Sequence, residues 1–187
     1  MVNNLTMSVL EPFLNRPDEQ LHLADISRQL KEPHPTVRLH LNALEKKGIL
    51  KKSYKGRLTL YSLNLDNPLI AQYIIIAEKN NLIRKSENNL ILKELISFLQ
   101  NISGKEMIIF GSAAQTFNKA NDVDLLVTGK TDENKIKRFS EKYNKPIHLI
   151  NVKSLRKVSE TLKKEITKKH LVIKGSENIT RWLFWQK

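Results

Sequence analysis

Apolar residues recur at three- and four-residue intervals through the first quarter of the chain, and this spacing places them on single faces of helices. Leu5, Val9, Leu10, Phe13 and Leu14 form the first such face, and Pro17 closes it. Leu21, Leu23, Ile26 and Leu30 form a second pattern, which starts near Leu23-Ala24-Asp25 and ends before Pro33. A third helix opens at His34-Pro35-Thr36, where proline suits the first turn. Val37, Leu41 and Leu44 mark its buried stripe, with His40 packing beside it, and Gly48 ends it. Ile49-Leu50-Lys51-Lys52 and Leu58–Leu63 then read as short strands around a Tyr54-Lys55-Gly56-Arg57 turn, which makes a hairpin.

Asp66-Asn67-Pro68 breaks the pattern. A helix follows through Leu69, Ile70, Tyr73, Ile76 and Ala77, with an interruption expected at Lys79-Asn80-Asn81. A further helix runs from Glu87 to Leu99 on the apolar positions Leu90, Leu92, Leu95, Ile96 and Leu99. From Glu106 the order is strand, a helix opening on Gly-Ser, strand 122–128, helix 132–143 and strand 147–151. The segment from Val152 to about Trp182 reads as mostly helical, with a turn at Gly175, and Trp182, Phe184 and Trp185 read as core or interface. The expected fold class is α+β. Residues 1–66 form a helical domain with a hairpin, 67–104 a helical linker that could pair two copies as a homodimer, and 105–187 a small mixed-sheet domain with a helical tail.

Composition narrows the function classes. The 187-residue chain has no cysteine, so neither disulfides nor a cysteine-based zinc site can form. No apolar run approaches the length of a membrane span, and the N-terminus lacks the pattern of a signal peptide, so a cytoplasmic protein is expected. The net charge of +13 points to a polyanionic partner, nucleic acid before membrane. That charge is uneven: residues 1–66 hold ten Lys/Arg against seven Asp/Glu, which leaves 22 against 12 in the remainder.

The strongest chemical signal is the stretch GSAAQTFNKANDVD at residues 111–124. Gly111 permits close backbone approach, and Ser112 stands where a helix begins and free N–H groups favour phosphate. Asp122 and Asp124 open an apolar strand, where residues two apart project from one face. Two carboxylates about 6 Å apart repel by about 3 kcal/mol at an effective dielectric near 20, so they share a proton or collect a divalent cation. A phosphate cradle beside such a pair suggests metal-assisted phosphoryl or nucleotidyl transfer.

These residues resemble the nucleotidyltransferase superfamily that includes DNA polymerase beta, and in particular its minimal branch. The resemblance implies that Gly111 and Ser112 hold the phosphates of an NTP and that Asp122 and Asp124 are catalytic and hold Mg²⁺. It also implies a third carboxylate, and the matching strand Pro146-Ile147-His148-Leu149-Ile150 carries His148 there instead. An arginine is usual just after Gly-Ser; here Ala113, Ala114 and Gln115 follow, and Lys119 is the nearby cation. Glu106 and Glu141 are further acids in this part of the sequence.

The wording DISRQLKEPHPTVRLHLNALEKKGILKK, followed by YSLN, resembles the winged helix-turn-helix domains of prokaryotic regulators. That likeness implies binding to double-stranded DNA, with Thr36, Arg38, Leu39 and Asn42 on the groove-facing helix and Lys51, Lys52, Lys55 and Arg57 on the wing touching phosphates. The tail LKKEITKKHLVIKGSENI resembles archaeal proteins that join a winged helix to a nucleotidyltransferase domain. Three functions follow from these likenesses. One is a DNA-binding transferase acting on a protein or RNA acceptor. Another is a transcriptional regulator whose second domain only binds nucleotide or is inactive. The third is an antitoxin that adenylylates a toxin.

Overall fold

The computed structural model describes residues 4–87 and 89–186, in two compact units, Met1–Asn80 and Asn81–Lys187. Residues 1–3 and 187, at the ends of the expected domains, and Asn88, near the start of the second expected linker helix, lie outside the described residues.

In the first unit the single helix expected over residues 5–15 is two short ones, α1 (Asn4–Ser8) and α2 (Glu11–Leu14). Pro12 is the cause: in a continuous helix its ring would collide with the carbonyl of Ser8. Leu21 is not helical either. Leu21–His22 forms a short strand, β1, before α3 (Leu23–Leu30) begins. Three residues separate α3 from α4 (His34–Lys46), whose Val37, Leu41 and Leu44 are fully buried as their spacing predicts. The end of α4 depends on Gly48. Its N–H bonds the Glu45 carbonyl and the next N–H, of Ile49, bonds the Leu44 carbonyl, a pairing that needs the left-handed backbone (φ 68°) found at Gly48.

Strands β2 (Leu50–Lys55) and β3 (Leu58–Leu63) pair antiparallel around a two-residue Gly56-Arg57 turn, so β2 is longer than expected and the turn shorter. β1 adds to the other edge of β3, giving the order β1-β3-β2. His40 bonds the Thr6 hydroxyl at 2.9 Å, in keeping with a packing role. Helix α5 (Ile70–Glu87) is continuous through Lys79-Asn80-Asn81, where an interruption was expected. Those residues are polar but not helix-breaking: the Asn80 amide donates to Ser8 and to buried Glu11.

The second unit is built on a four-stranded mixed sheet of order β6-β5-β4-β7. Strand β4 is Met107–Phe110, β5 Val123–Thr128, β6 Ile147–Val152 and β7 His170–Lys174. β5 pairs parallel with β6, and β4 pairs antiparallel with both β5 and β7. One face, carrying Met107, Ile109, Leu125, Val127, Leu171 and Ile173, packs with Leu92, Leu95 and Leu99 of α6 (Leu90–Asn101) and with Ile136 and Phe139 of α8 (Glu133–Lys142). Ile108, Leu126 and Val172 point to the other face and are equally buried. A sheet covered on both faces takes continuous apolar runs rather than alternation.

The tail corrects the sequence reading most. Most of it is helical as expected, but it holds a strand the pattern did not show: after α9 (Glu160–Lys168) the backbone turns extended at Lys169 and runs as β7 before α10 (Ser176–Trp185). Gly175 does mark a turn, but between a strand and a helix. Trp182 and Phe184 are core residues, while Trp185 is partly exposed.

Candidate functional site

Strand β4 delivers the chain to Phe110 in extended form, and at Gly111 the backbone switches to φ 71° to open the short helix α7 (Gly111–Gln115). Across the sheet Phe110 pairs with Asp124, the second residue of β5. That register lays the Asp124 carboxylate over the bend. A Cβ at position 111 would come within 2.7 Å of Asp124 Oδ2, so only glycine leaves room for the acid.

Asp122 lies just before β5, and the neighbouring strand pairs His148 with Asp124. His148 Nδ1 is 3.6 Å from Asp122 Oδ2 and 3.6 Å from Asp124 Oδ1. Asp122, Asp124 and His148 therefore share one side of the sheet edge beside Gly111. All three are partly open to solvent.

The fold brings three further residues to this place. A cavity of about 260 Å³ is lined by Phe110, Gly111, Asp124, Glu165, Lys168 and Lys169. The Gly111 N–H donates to the Lys169 carbonyl at 3.1 Å, which ties the end of α9 to the bend. Glu165, Lys168 and Lys169 had no place in the sequence reading of the site. Their one signal was the i, i+3, i+4 spacing on a helix face. Which surface that face meets depends on β7, which the apolar pattern had merged into a helix.

The N–H of Gly111 is thus engaged within the protein, and its part is to make space, whereas Ser112 is exposed at the start of α7. Lys119 is exposed in a single 3₁₀ turn, Phe117–Lys119. Glu106 is 8 % exposed at the opposite end of β4, and Glu141 is exposed on α8, so neither joins the carboxylates.

In the first unit Arg38 and Leu39 (68 % exposed) lie open on α4, with Thr36 half-buried. Asn42 turns inward: its Oδ1 accepts from Tyr61 Oη at 3.1 Å and Lys52 Nζ at 3.3 Å, joining α4 to the hairpin. Lys51 pairs with Asp66 at 2.7 Å, which holds that carboxyl below the usual range, while Lys55 before the turn and Arg57 in it stand in the open. Burial pushes the Tyr61 hydroxyl above its ordinary value, against the opposing pull of Lys52 and Arg38.

The family model described as "Nucleotidyltransferase domain" matches residues 91–180. The matched stretch takes in the whole sheet with α7, α8 and α9. Nucleotidyltransferase domains act on an NTP and generally use divalent metals such as Mg²⁺. No curated protein and no solved structure matches the chain. Among the described residues no helix is long and apolar enough to cross a membrane.

Proposed function

We propose that the second unit passes a nucleotidyl group from an NTP to a hydroxyl of a protein or RNA acceptor. The observation that carries this reading is the Asp124 carboxylate lying over Gly111, with Asp122 and Asp124 converging on His148. Acceptor oxygen attacks the α-phosphorus, the bond to the bridging oxygen of the β-phosphate breaks, and pyrophosphate leaves with that electron pair. Asp122 and Asp124 orient the acceptor, and one of them takes the hydroxyl proton. Ser112, Lys168 and Lys169 meet the negative charge of the triphosphate.

The donor set suits Mg²⁺, which ordinarily takes one or two protein carboxylates and completes its shell with phosphate oxygens and water. Asp122 and Asp124 would hold it, and its chemistry is to neutralise charge that builds on the phosphates. Among the described residues no group of three or more His, Cys, Asp or Glu is placed to hold a metal alone, and His148 offers nitrogen where Mg²⁺ prefers oxygen. Asp122 and Asp124 would supply two oxygen ligands, and phosphate oxygens of the nucleotide could supply others.

The test is incubation of the protein with labelled ATP, Mg²⁺ and a cell lysate. Wild type labels a protein or RNA, and Asp124→Ala abolishes labelling while keeping the fold. Equal labelling by the variant would rule out Asp124. A second reading, a sensor that binds NTP without turnover, is favoured by His148 standing in the third-acid position; saturable binding without product establishes it.

The first unit is assigned by the same proposal as a winged helix-turn-helix that grips duplex DNA. Its support is the short α3–α4 connection, the hairpin with β1 on its edge, and the open cations Arg38, Lys55 and Arg57.

A further inference from the structure

The ends of the second unit's sheet differ in charge. Gly111, Asp122, Asp124 and His148 lie at one end. At the other, every strand has a lysine: Lys105 precedes β4, Lys130 follows β5 after Gly129, Lys153 follows β6, and Lys174 ends β7. Lys174 is spent on the Ile102 carbonyl at 3.1 Å, but the other three are exposed and line two cavities. One, of about 430 Å³, runs along Gly129, Lys130, Thr131, Asn151 and Lys153. The other, of about 380 Å³, is lined by Lys105, Lys153, Arg156, Asn178, Arg181 and Trp182, among others. Lys153 belongs to both, so the two adjoin as one trough.

The acids nearby do not balance these cations. Glu106 is buried, with one carboxylate oxygen accepting from Asn178 at 2.7 Å and the other from Thr128. Asp132 caps α8 and lies 3.6 Å from Lys135. Glu177 is exposed in the first turn of α10. Lys105, Lys130, Lys153, Arg156 and Arg181 come from four separate parts of the chain, and among the described residues lining the two cavities the one acid is Glu106, already held by Asn178 and Thr128. Like charges gathered on one surface repel, and a bound polyanion relieves that repulsion.

We propose that this trough binds the phosphate backbone of a single-stranded nucleic acid. Its cations are spread along two adjoining cavities rather than focused on one point, which fits successive phosphates better than an isolated one. A single strand is the narrowest polyanion that can lay successive phosphates along these two adjoining cavities. The Trp182 ring is only 3 % exposed, so it offers no platform for stacking bases, and recognition is of the backbone, independent of sequence. The proposal stands apart from the transferase reading, because none of these residues belongs to that site.

The test is fluorescence anisotropy of the full chain with a labelled oligouridylate over a range of salt. The triple variant Lys153→Ala, Arg156→Ala, Arg181→Ala is compared with a charge-matched control, Lys93→Ala, Lys137→Ala, Arg138→Ala, drawn from exposed positions elsewhere in the second unit. The first binds about tenfold more weakly, and its slope of log K against log salt falls by about 2, at about 0.7 per lost phosphate contact. The control stays within about twofold of wild type. Lys153→Glu alone, at the residue both cavities share, also weakens binding and serves should the triple variant fold poorly. Equal losses in variant and control, or no loss in the variant, overturn the proposal. Displacement of the oligomer by inorganic phosphate at matched ionic strength overturns it in favour of a site for free phosphate.

Discussion

A single methyl group tests the site at its narrowest point. Gly111→Ala puts a side chain on a left-handed backbone, at about 1–2 kcal/mol, and drives it against Asp124 Oδ2 at 2.7 Å. The acid must move, and a misplacement of about 1 Å can cost about a hundredfold in rate. We expect nucleotidyl transfer to fall about a hundredfold while chemical denaturation shows less than about 3 kcal/mol of lost stability. An alanine variant that labels its acceptor as fast as wild type would remove Asp124 from the reaction. Gly111, Ser112, Asp122 and Asp124 were legible because they are close in sequence and their relation rests on strand period and turn chemistry. His148 was legible only through the resemblance, which implies a third acid at that position of the matching strand. Glu165, Lys168 and Lys169 were not, since some forty residues and the strand β6 separate them from Asp124 and only the antiparallel pairing of β7 with β4 returns them to the bend.

Elements were readable where one face was wet. Helix α4 buries Val37, Leu41 and Leu44 and exposes Arg38 and Leu39, so its period survives in the sequence. Strand β7 is buried on both faces, and a short continuous apolar run does not declare itself as strand or helix. Proline placed the break between α1 and α2, but the helical spacing on either side of Pro12 masked it. The hairpin shows how one contact binds two elements: Tyr61 on β3 reaches Asn42 on α4. Burial raises the Tyr61 hydroxyl, so the folded chain keeps this proton at a pH where the unfolded chain has released it. Stability is therefore full below the ordinary tyrosine range and declines as pH rises through the raised folded value. Thermal melts followed by circular dichroism should show a steeper alkaline loss for wild type than for Tyr61→Phe. Parallel alkaline profiles for the two proteins would mean that this hydroxyl does not govern the decline.

For the whole molecule, charge was the most telling property of the sequence and the least specific. An excess of 13 positive charges announced a polyanion but not where it binds. The structure places part of the excess on the open face of α4 and the hairpin tip, and part at the lysine-bearing end of the second sheet. Each has its own signature in salt. For duplex DNA, Arg38→Ala with Arg57→Ala should lower affinity and reduce the slope of log K against log salt by about 2, at about 0.9 per contact. Electrophoretic mobility shifts across a salt series measure it, and an unchanged slope would separate these arginines from the duplex.

The pairing of β4 with β7 also orders events in time. During synthesis β4 emerges long before residues 170–174, so one of its edges is left without a partner while the intervening segments are made. A chain halted in that interval carries its carboxylates but lacks the strand that brings Glu165 and both lysines beside them. The first unit is thus complete before the second sheet closes, and the nascent chain is most prone to aggregate in between.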